Sequence, residues 1–375
     1  MTPLRVLYLI DSLGPGGAQR QLVTLVRSLD RMLVTPEVAV YHPLFHFRPE
    51  LDAADVPVHL LAGSGGRDPR VLIGLARLLA RERYDIVHSY LSTPGTLARL
   101  AAPFSRGTRV VVSERNVDLG RSRVRLAIER LLCRRADAMI ANADAIAREV
   151  ELLVPAWAGR VNVVPNGLNW SEPTEVERTA GDEFRARHVG DADILLGVIG
   201  RVEHQKAPDL LVDALELVPE TLLRKLRVVW VGPRIDTELA SSVESRLAGS
   251  PLADRVSFLG ETRDTRSVYL GVDGVLLCSR WEGLPNAVLE ALAHGRPVIA
   301  TDVGDVRRLL QEGRGGWLVR PEDAPALARA ISDLVRTPNA RLTSMGRDAS
   351  NFVLEDYSAA RLAERTVAVY HDVLA

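Results

Sequence analysis

A short apolar run near the middle of the chain reads Ile194-Leu195-Leu196-Gly197-Val198-Ile199 and ends in Gly200-Arg201. A run of this length, bounded by glycine, predicts a strand that is buried on both faces of a parallel sheet. Lys206 follows, and Pro208 then suits the first turn of a helix, where a missing N–H costs little. The stretch therefore predicts a buried strand, a loop that carries two cations, and a helix.

The alternation of short apolar runs with helical patterns continues beyond this stretch. Strands are predicted at 194–199, 227–231, 255–258, 273–277, 297–300 and 316–319, and helices at 207–217, 236–247, 264–270, 286–294, 304–311 and 323–336. The tail, 339–375, is predicted to be helical with a break near Asp356. Strands that alternate with helices favour a parallel sheet covered by helices on both faces.

The same alternation precedes this stretch. Strands are predicted at 4–10, 36–41, 85–88, 108–113, 137–140 and 161–164, and helices at 17–29, 69–82, 93–102, 121–135 and 143–153. Between the two alternating parts, Pro165-Asn166-Gly167 is a turn signal, and the segment after it is polar and lacks periodicity. The sequence therefore predicts an α/β protein with two doubly wound, parallel-sheet domains at 1–168 and 183–356, joined by a linker at 169–182.

Length, charge and cysteine content exclude several classes of protein. A chain of 375 residues favours two domains, and a net charge of −1 argues against bulk nucleic-acid binding. Cys133 and Cys278 lie far apart without metal-ligand spacing, so we expect a reduced, cytoplasmic protein. The apolar run at 4–10 is too short for a signal peptide or a membrane-spanning helix.

A glycine-rich turn follows the first predicted strand and reads Asp11-Ser12-Leu13-Gly14-Pro15-Gly16-Gly17-Ala18-Gln19. A strand, a glycine-rich turn and a helix in this order let a backbone approach a phosphate. The stretch is not the dinucleotide fingerprint, because Gln19 stands where the third glycine belongs. It is not a Walker A loop either, because no Gly-Lys-Ser/Thr follows. A tight strand-to-helix turn without a ligand is the alternative.

Two glutamates flank a second turn, Glu282-Gly283-Leu284-Pro285-Asn286-Ala287-Val288-Leu289-Glu290. Glu282 is predicted in the loop after a strand, and Glu290 one helical turn into the next helix. Backbone N–H groups at such a helix start attract an anion, by about 0.3–1 kcal/mol per exposed charge. Carboxylates near a phosphate suit sugar hydroxyls, so the turn predicts a sugar-nucleotide site. An ordinary amphipathic surface helix with a loop glutamate is the alternative.

The cations Arg201 and Lys206 lie at the carboxyl end of the first strand of the second domain, where they could bind a diphosphate. Charge-assisted hydrogen bonds of this kind are worth about 1.5–3 kcal/mol each. Either residue alone would more often be a solvated surface charge. The pair, taken together with the two glutamates, favours a diphosphate site.

In order and spacing these motifs resemble the retaining glycosyltransferases of family four, a large bacterial group with the GT-B fold. The resemblance covers essentially the whole chain and includes Gly16-Gly17-Ala18-Gln19, Asp85-Ile86-Val87-His88, Asn142-Ala143, Pro165-Asn166-Gly167, Gly200-Arg201 with Lys206, Phe258-Leu259-Gly260, the stretch from Ser279 to Asn286 with Glu290, and Thr301-Asp302-Val303-Gly304. It implies two Rossmann-like domains that face each other across a cleft. The first domain would bind the acceptor, the second would bind the donor, and the C-terminal helix at about 357–375 would cross back to the first.

The resemblance also implies roles for the residues of the second domain. Arg201 and Lys206 would bind the donor diphosphate and stabilise charge on the leaving group. Glu282 would bind the hydroxyls of the donor sugar, and Glu290 those of the ribose. The remaining donor contacts would come from the turn Gly283, Leu284, Pro285 and Asn286, from Thr262 and Arg263 near the base, and from Gly16 and Gly17 in the first domain. We expect no metal, because the cations and helix dipoles would supply its electrostatic effect.

The first domain departs from the family's usual pattern. Many relatives carry a histidine two positions after the Ser or Thr that ends the 108–113 strand, and Arg115 stands there in this chain. Tyr90 likewise stands near the place of a second common histidine. We therefore predict that His88 contacts the donor sugar, with Glu114 as an alternative. A packed histidine at a strand end is the other interpretation of His88.

Two weaker sequence motifs each have an ordinary structural explanation beside the functional one. The stretch 121–135 is basic and amphipathic, and it predicts either a peripheral contact with anionic lipid at the inner face of the membrane or a domain helix whose apolar stripe enters the core. We favour the core helix. Asp191-Ala192-Asp193 has the spelling of a metal-binding carboxylate pair but precedes a strand, so we interpret it as a solvated loop.

The resemblance implies an enzyme that moves a sugar from a UDP- or GDP-sugar to an acceptor hydroxyl with retention of anomeric configuration. A sugar, a lipid-linked molecule or a small molecule could be the acceptor, in glycan, glycolipid or glycoside biosynthesis. A nucleotide-sugar epimerase of the same fold would act without an acceptor. A dinucleotide-dependent oxidoreductase would bind a nicotinamide cofactor, and a non-catalytic sensor would bind the donor without turnover.

Overall fold

The computed structural model describes residues 2–63, 65–105, 107–115 and 122–375. Contacts divide the chain into two compact units. The first unit comprises Met1–Asn169 and Tyr357–Ala375, and the second comprises Trp170–Asp356.

The first unit contains a seven-stranded parallel sheet with the order β3-β2-β1-β4-β5-β6-β7. Its strands are β1 (Leu4–Leu9), β2 (Val34–Val40), β3 (Val58–Leu60), β4 (Ile86–Tyr90), β5 (Arg109–Glu114), β6 (Ala138–Ala141) and β7 (Val161–Val163). Its helices are α1 (Gly17–Ser28), α2 (Arg48–Asp52), α3 (Pro69–Glu82), α4 (Ser92–Ala101), α5 (Arg123–Leu132) and α6 (Asp144–Leu153), with α16 (Ala359–Leu374) from the tail.

The second unit contains a six-stranded parallel sheet with the order β10-β9-β8-β11-β12-β13. Its strands are β8 (Ile194–Ile199), β9 (Leu226–Val231), β10 (Val256–Gly260), β11 (Gly274–Leu277), β12 (Val298–Thr301) and β13 (Gly316–Val319). Its helices are α7 (Glu175–His188), α8 (Pro208–Glu216), α9 (Glu220–Leu223), α10 (Thr237–Ala248), α11 (Thr265–Gly271), α12 (Asn286–Ala293), α13 (Val306–Glu312), α14 (Ala324–Arg336) and α15 (Asn339–Asp356).

The prediction of two parallel-sheet α/β domains is confirmed. In each unit the first strand lies inside the sheet, with later strands added on both sides: β1 lies between β2 and β4, and β8 lies between β9 and β11. The central strands are buried on both faces, because helices cover both sides of such a sheet. All strands of one sheet point the same way, so the loops after them gather at one carboxyl edge, where ligands bind in folds of this kind.

The predicted linker at 169–182 is wrong in its second half, because Glu175–His188 forms α7 within the second unit. Thr174 caps this helix in a capping box with Glu177. Within α7 the buried residue is Gly181, and a Cβ there would lie 2.5 Å from Leu270 Cβ of α11. The helix packs by close approach at a glycine and not by an apolar stripe, so the sequence lacks the usual periodicity.

The tail folds as two helices with the break at Tyr357 and Ser358. The N–H of Leu168 donates to the carbonyl of Tyr357 at 2.7 Å, and the N–H of Ala359 donates to the carbonyl of Leu168 at 2.8 Å. Helix α16 then enters the apolar core of the first unit through Leu362 and Tyr370. The last helix is therefore an integral part of the first unit.

Candidate functional site

The predicted cations and the first glutamate of the donor motif come from two neighbouring strands of the second unit. Arg201 and Lys206 follow β8, and Glu282 follows β11, which pairs directly with β8. The carboxyl ends of these strands lie side by side, so residues that are 76 positions apart in the sequence meet in space. This edge of the second sheet is the candidate site.

Lys206 and Glu282 form the central contact of the site. The ammonium Nζ lies 2.5 Å from Oε1 of the carboxylate, and the hydroxyl of Ser279 donates to the same oxygen at 2.7 Å. The Glu282 residue is 8% exposed, and the Lys206 side chain is 15% exposed. Both bonds end on Oε1, so Oε2 remains open to a ligand hydroxyl as far as the described residues are concerned. Lys206 is one of only two lysines in the chain, with Lys225.

A set of contacts that the sequence did not reveal holds the two loops together. The guanidinium of Arg280 donates to both carboxylate oxygens of Asp209, at 3.1 and 2.6 Å, and to the carbonyl of His204 at 2.7 Å. The backbone N–H of Arg280 donates to the carbonyl of Gln205 at 2.8 Å, and the Gln205 amide donates to the carbonyl of Trp281 at 2.9 Å. These bonds fix the Lys206 loop against the Glu282 loop.

The Arg280–Asp209 pair also lowers the pKa of the Asp209 carboxylate. Burial would raise the pKa of Asp209, but the hydrogen bonds and charge of Arg280 outweigh burial and lower it. Arg280 reaches a second carboxylate at the same time, because its Nε lies 2.6 Å from Glu322. The bracing arginine is thus fully engaged by protein groups, whereas Arg201 is half exposed.

Arg201 lies at the rim of the site with its side chain 54% exposed, and its Nη2 is 2.8 Å from Oε1 of Glu203. Its loop is shaped by the neighbouring strand end: the indole of Trp230 donates to the carbonyl of Gly200 at 2.8 Å. A Cβ at Gly232 would lie 2.0 Å from that same carbonyl oxygen, so only glycine fits there. The Arg201 guanidinium is therefore accessible on a fixed backbone.

The Glu282 loop has a similar backbone support. Gly304, at φ +55°, lies against it so closely that a Cβ would be 2.0 Å from the carbonyl oxygen of Gly283. The N–H of Asp305 donates to the same oxygen at 3.0 Å, and the hydroxyl of Thr301 donates to the carbonyl of Ser279 at 2.6 Å. This packing explains why the turn after β12 must contain glycine.

Helix α12 begins as the sequence predicts, with Pro285 at the N-cap and Asn286 as the first helical residue. Gly283, Leu284 and Pro285 are buried, and Glu290 is half-buried one turn into the helix. Pro285 has no N–H, so the backbone donors at this helix start belong to the residues that follow it. The helix start follows β11 at the same edge of the sheet as Lys206.

The other predicted donor contacts lie in both units. Thr262 is half-buried and Arg263 exposed, in the loop after β10 of the second unit. Gly16 is the N-cap of α1 in the first unit, and Gly17 is the first residue of that helix. A Cβ on Gly16 would lie 2.1 Å from Oε1 of Gln19, so the turn is closed tightly by a side chain that also donates to Asp11 at 2.9 Å.

His88 does not fit its predicted role. It is fully buried in β4, with Nδ1 2.7 Å from the hydroxyl of Tyr370 and Nε2 2.8 Å from the hydroxyl of Ser113. Burial, aided by the nearby charge of Arg115, holds the pKa of His88 well below its usual value. A neutral histidine with both nitrogens bonded in a core cannot touch a sugar, so the interpretation as a packed strand-end histidine is the one that fits.

The alternative residue, Glu114, is also engaged within the first unit. It is 8% exposed, and its Oε2 accepts from Arg125 of α5 at 2.7 Å. Arg115 is half-buried, and its Nη1 donates to Oδ1 of Asn166 at 2.8 Å. Arg115, which stands at the place of the family's histidine, donates from its backbone N–H to Oε1 of Glu114 at 3.1 Å, but its guanidinium has no ion pair to a described residue.

Helix α5 turns its apolar stripe outward, and the prediction that this stripe enters the core is wrong. Val124 is 71% exposed, Ile128 38% and Leu131 78%, whereas the buried residues of the helix are Glu129 and Leu132. Arg99 of α4 reaches Glu129 with two bonds of 2.8 Å, so a buried ion pair anchors the inner face. Arg121, part of the predicted stretch 121–135, lies outside the described residues.

Among the described residues, no group of three or more His, Cys, Asp or Glu side chains could hold a metal ion. Asp191 is exposed and lies 3.0 Å from Arg255, as a solvated loop residue would. Cys133 and Cys278 are both buried and free. In the same part of the chain, every helix is too short or too polar to span a bilayer.

Comparison with known sequences identifies the family of each half. Residues 15–172 match Glycosyltransferase Family 4, and residues 193–337 match Glycosyl transferases group 1. The lipopolysaccharide core biosynthesis mannosyltransferase LpcC of Rhizobium leguminosarum bv. viciae is 29% identical over 316 residues, which cover 81% of this chain and 83% of that protein. The D-inositol 3-phosphate glycosyltransferase of Kineococcus radiotolerans is 30% identical over 316 residues, covering 78% of this chain and 72% of that one.

Solved structures agree with the sequence families. The crystal structure of Anabaena Alr3699/HepE in complex with UDP and glucose matches with a TM-score of 0.84 at 20% identity, over 97% of this chain and 98% of that chain. The likeness at this identity establishes the fold, which is GT-B. The relative that is 30% identical over 78% of this chain, together with the two family matches, shows that the chain belongs to the retaining glycosyltransferases of family four.

Proposed function

We propose that the carboxyl edge of the second sheet binds a nucleotide-sugar donor and that this chain transfers the sugar, with retention, to an acceptor hydroxyl. The observation that carries the assignment is the contact between Lys206 and Glu282, held by the bracing contacts of Arg280 and Gln205. A cation paired with a carboxylate suits a ligand that brings both a diphosphate and hydroxyl groups. UDP bound to the structurally similar HepE supports this choice of donor class.

The proposed reaction breaks the bond between the anomeric carbon and the diphosphate oxygen. As this bond breaks, negative charge grows on the leaving phosphate, and Lys206 and the exposed Arg201 stabilise it. The acceptor oxygen bonds to the anomeric carbon on the same face, and its proton passes to the leaving phosphate oxygen. Glu282 fixes the sugar through its free oxygen, Oε2, and Glu290 binds the ribose hydroxyls.

The remaining donor residues would orient the ligand. Gly283, Leu284, Pro285 and Asn286 place the start of α12 beside the diphosphate, whose charge favours the positive end of the helix. Thr262 and Arg263 would lie near the base. Gly16 and Gly17 offer a backbone without side chains in the first unit. We propose that no metal takes part, because two cations and a helix start supply the positive charge.

Product analysis tests the proposal against its main rival. The donor is first chosen by thermal-shift screening of UDP- and GDP-sugars. A transferase releases the nucleoside diphosphate in proportion to glycosylated acceptor, and addition of EDTA leaves the rate unchanged. Epimerised donor formed without any acceptor would favour an epimerase, and a rate lost in EDTA and restored by magnesium would contradict the metal-free mechanism.

The names of the relatives suggest two kinds of acceptor. LpcC is named for lipopolysaccharide core, and the relative from Kineococcus radiotolerans for D-inositol 3-phosphate. Both names denote hydroxyl-rich acceptors in glycan or glycoside biosynthesis. We propose an acceptor of this polyhydroxylated class, bound by the first unit.

We further propose that α5 contacts an anionic bilayer. Its apolar stripe, Val124, Ile128 and Leu131, is exposed, and Leu152 of α6 is 80% exposed as well. Arg123, Arg134 and Arg135 lie exposed on this segment without an ion pair to any described residue. Apolar side chains suit the interfacial region, and each arginine near an anionic surface adds about 1 kcal/mol.

Co-sedimentation with vesicles tests this contact. We expect binding to phosphatidylglycerol-containing vesicles and little binding to pure phosphatidylcholine. Leu131→Ser combined with Val124→Ser should abolish it, whereas Leu217→Ser, at a 55% exposed leucine of the second unit, should not. Equal binding by both variants would contradict the assignment to α5.

A further inference from the structure

Four neighbouring strands of the first sheet end in polar residues that the donor assignment does not use. Tyr90 is the last residue of β4, Arg115 follows β5 directly, Asn142 follows β6 directly, and Asn166 comes shortly after β7. These strands are adjacent in the sheet, in the order β4-β5-β6-β7. Their side chains therefore belong to one edge, the edge at which parallel α/β sheets bind ligands.

Contacts join these residues into one cluster. Nη1 of Arg115 donates to Oδ1 of Asn166 at 2.8 Å, and Nδ2 of Asn142 donates to the same oxygen at 3.3 Å. The guanidinium carbon of Arg115 lies 4.6 Å from the centre of the Tyr90 ring, a cation–π contact. Arg115 is thus held from two sides by neutral groups.

Three buried polar atoms of the cluster have no hydrogen-bond partner among the described residues. They are the hydroxyl of Tyr90, Nε of Arg115 and Oδ1 of Asn142. Tyr90 is 0% and Asn142 3% exposed, so bulk water does not satisfy them. An unpaired buried polar group costs about 1–3 kcal/mol, and native proteins contain few of them. Three of the nine such atoms among the described residues lie in this one cluster, beside a guanidinium that partly offsets the rise that burial causes in the pKa of Tyr90, and this makes the cluster a candidate site for a polar ligand.

The charge of the cluster indicates what kind of ligand this is. Arg115 forms no ion pair with any described residue, whereas the nearby arginines do: Arg125 pairs with Glu114 at 2.7 Å, and Arg99 pairs with Glu129 at 2.8 Å. His88, the other basic group beside Tyr90, is neutral and fully hydrogen-bonded. A guanidinium without a counter-ion matches the geometry of a phosphate or a carboxylate.

We propose that Arg115, with Asn142 and Tyr90, binds an anionic group of the acceptor, a phosphate or a carboxylate. The proposal rests on the proposed function, in which the first unit binds the acceptor. Arg115 would be a specificity-determining residue: it orients an acceptor by its anion, and the acceptor hydroxyl at a fixed distance from that anion becomes the one that is glycosylated. Asn142 and Tyr90 add neutral hydrogen bonds.

Calorimetric titration of the full chain with inorganic phosphate, in the presence of saturating UDP to fill the proposed donor site, tests the Arg115 site directly. The wild-type chain should bind phosphate saturably, and affinity should fall as salt rises. Arg115→Gln should weaken binding at least ten-fold, and Asn142→Asp, which adds a negative charge at constant size, should abolish it. Arg109→Gln is the matched control, because Arg109 lies at the other end of β5 and pairs with Asp137 at 3.0 Å. Equal losses in Arg109→Gln, or no saturable binding by the wild type, would overturn the proposal.

A second titration, with UDP, distinguishes an anion of the acceptor from an anion of the donor. It also distinguishes failure of this inference from failure of the proposed function. UDP affinity should be the same in the wild type, Arg115→Gln and Asn142→Asp, and unchanged thermal unfolding of both variants shows that their first unit is folded. If Arg115→Gln weakens UDP as much as phosphate, the anion belongs to the donor and the acceptor assignment is wrong. If the wild type binds no nucleotide at all, the proposed function fails, whereas UDP binding without phosphate binding overturns this inference alone.

Discussion

The two sheets of this chain have similar topology but opposite chemistry at their carboxyl edges. In the second unit two cations of the edge each contact an acid, Lys206 with Glu282 and Arg201 with Glu203. In the first unit the Arg115 guanidinium contacts an amide and an aromatic ring, and buried polar atoms around it have no hydrogen-bond partner among the described residues. The same fold therefore presents cations paired with carboxylates in one unit and, among the described residues, a guanidinium without an ion pair in the other.

This difference indicates which chemical groups the ligand of each edge must carry. Where cation and carboxylate already neutralise each other, the ligand must bring both an anion and hydroxyls to replace that contact. Where the cation has no ion pair to a described residue, as for Arg115, an anionic ligand is enough to neutralise its charge. A nucleotide sugar satisfies the first requirement, and an anionic acceptor satisfies the second. Four variants can break or sharpen this comparison.

Lys206→Ala should have the largest effect. Loss of the ammonium removes stabilisation of the leaving phosphate, and we expect turnover to fall by about 10²–10³-fold, as for one lost oxyanion donor. The rate is measured as nucleoside diphosphate released from the donor that stabilises the chain most. Lys225→Ala replaces the only other lysine, which lies 3.9 Å from Asp193 at 56% side-chain exposure, and should keep the wild-type rate. Wild-type turnover in both variants would remove Lys206 from the mechanism.

Tyr370→Phe should destabilise the first unit without touching the donor site. The hydroxyl of Tyr370 contacts Nδ1 of His88 at 2.7 Å and the hydroxyl of Tyr8 at 2.9 Å, all in a closed core. Its loss leaves buried groups unpaired and should lower the free energy of unfolding by about 1–3 kcal/mol. Hydrogen exchange in α16 and β1 would report the loss. A drop in donor affinity with unchanged protection would mean that His88 belongs to the site after all.

Glu290→Gln should weaken binding of the nucleoside diphosphate by about ten-fold, because a charge-assisted hydrogen bond to the ribose becomes a neutral one. Calorimetry with UDP or GDP measures the change. Glu312→Gln, at the end of α13 and 3.3 Å from Arg308, is the matched control. Equal affinities in wild type and Glu290→Gln would refute the ribose contact.

Replacement of His294 should change the stability of the chain only in acid. Burial lowers the pKa of His294 to about 4 from its ordinary 6.5, so the unfolded chain takes up this proton first as pH falls. Its contribution to stability is therefore complete above about pH 6.5 and is lost as pH falls through about 4, roughly 3 kcal/mol in total. The melting temperatures of wild type and His294→Gln, plotted against pH, should diverge only as pH falls from about 6.5 to about 4. A constant difference across that pH range would contradict the prediction.

The sequence predicted both sheets because their strands are apolar runs buried on two faces, a pattern that needs no tertiary information. It missed α7, which packs through Gly181, and the short elements α2 and β3, which are too brief to show a period. It also placed the stripe of α5 in the core, because periodicity shows that an apolar face exists but not which way it points.

For the candidate site, local signals located the loops but not their partners. The strand ends and turns predicted where Arg201, Lys206 and Glu282 lie. Nothing in the sequence indicated that Arg280 would bind Asp209 across 71 residues, since both read as surface charges. His88 at a strand end looked like a ligand contact, and only the position of Tyr370, 282 residues later, shows that it is enclosed.

A crystal structure of the chain with the nucleoside diphosphate selected by thermal shift tests the central claim most directly. The account predicts a diphosphate within hydrogen-bonding distance of both Arg201 and Lys206, with Glu290 on the ribose. Nucleotide bound elsewhere, or this edge empty with both cations still on their carboxylates, would contradict it.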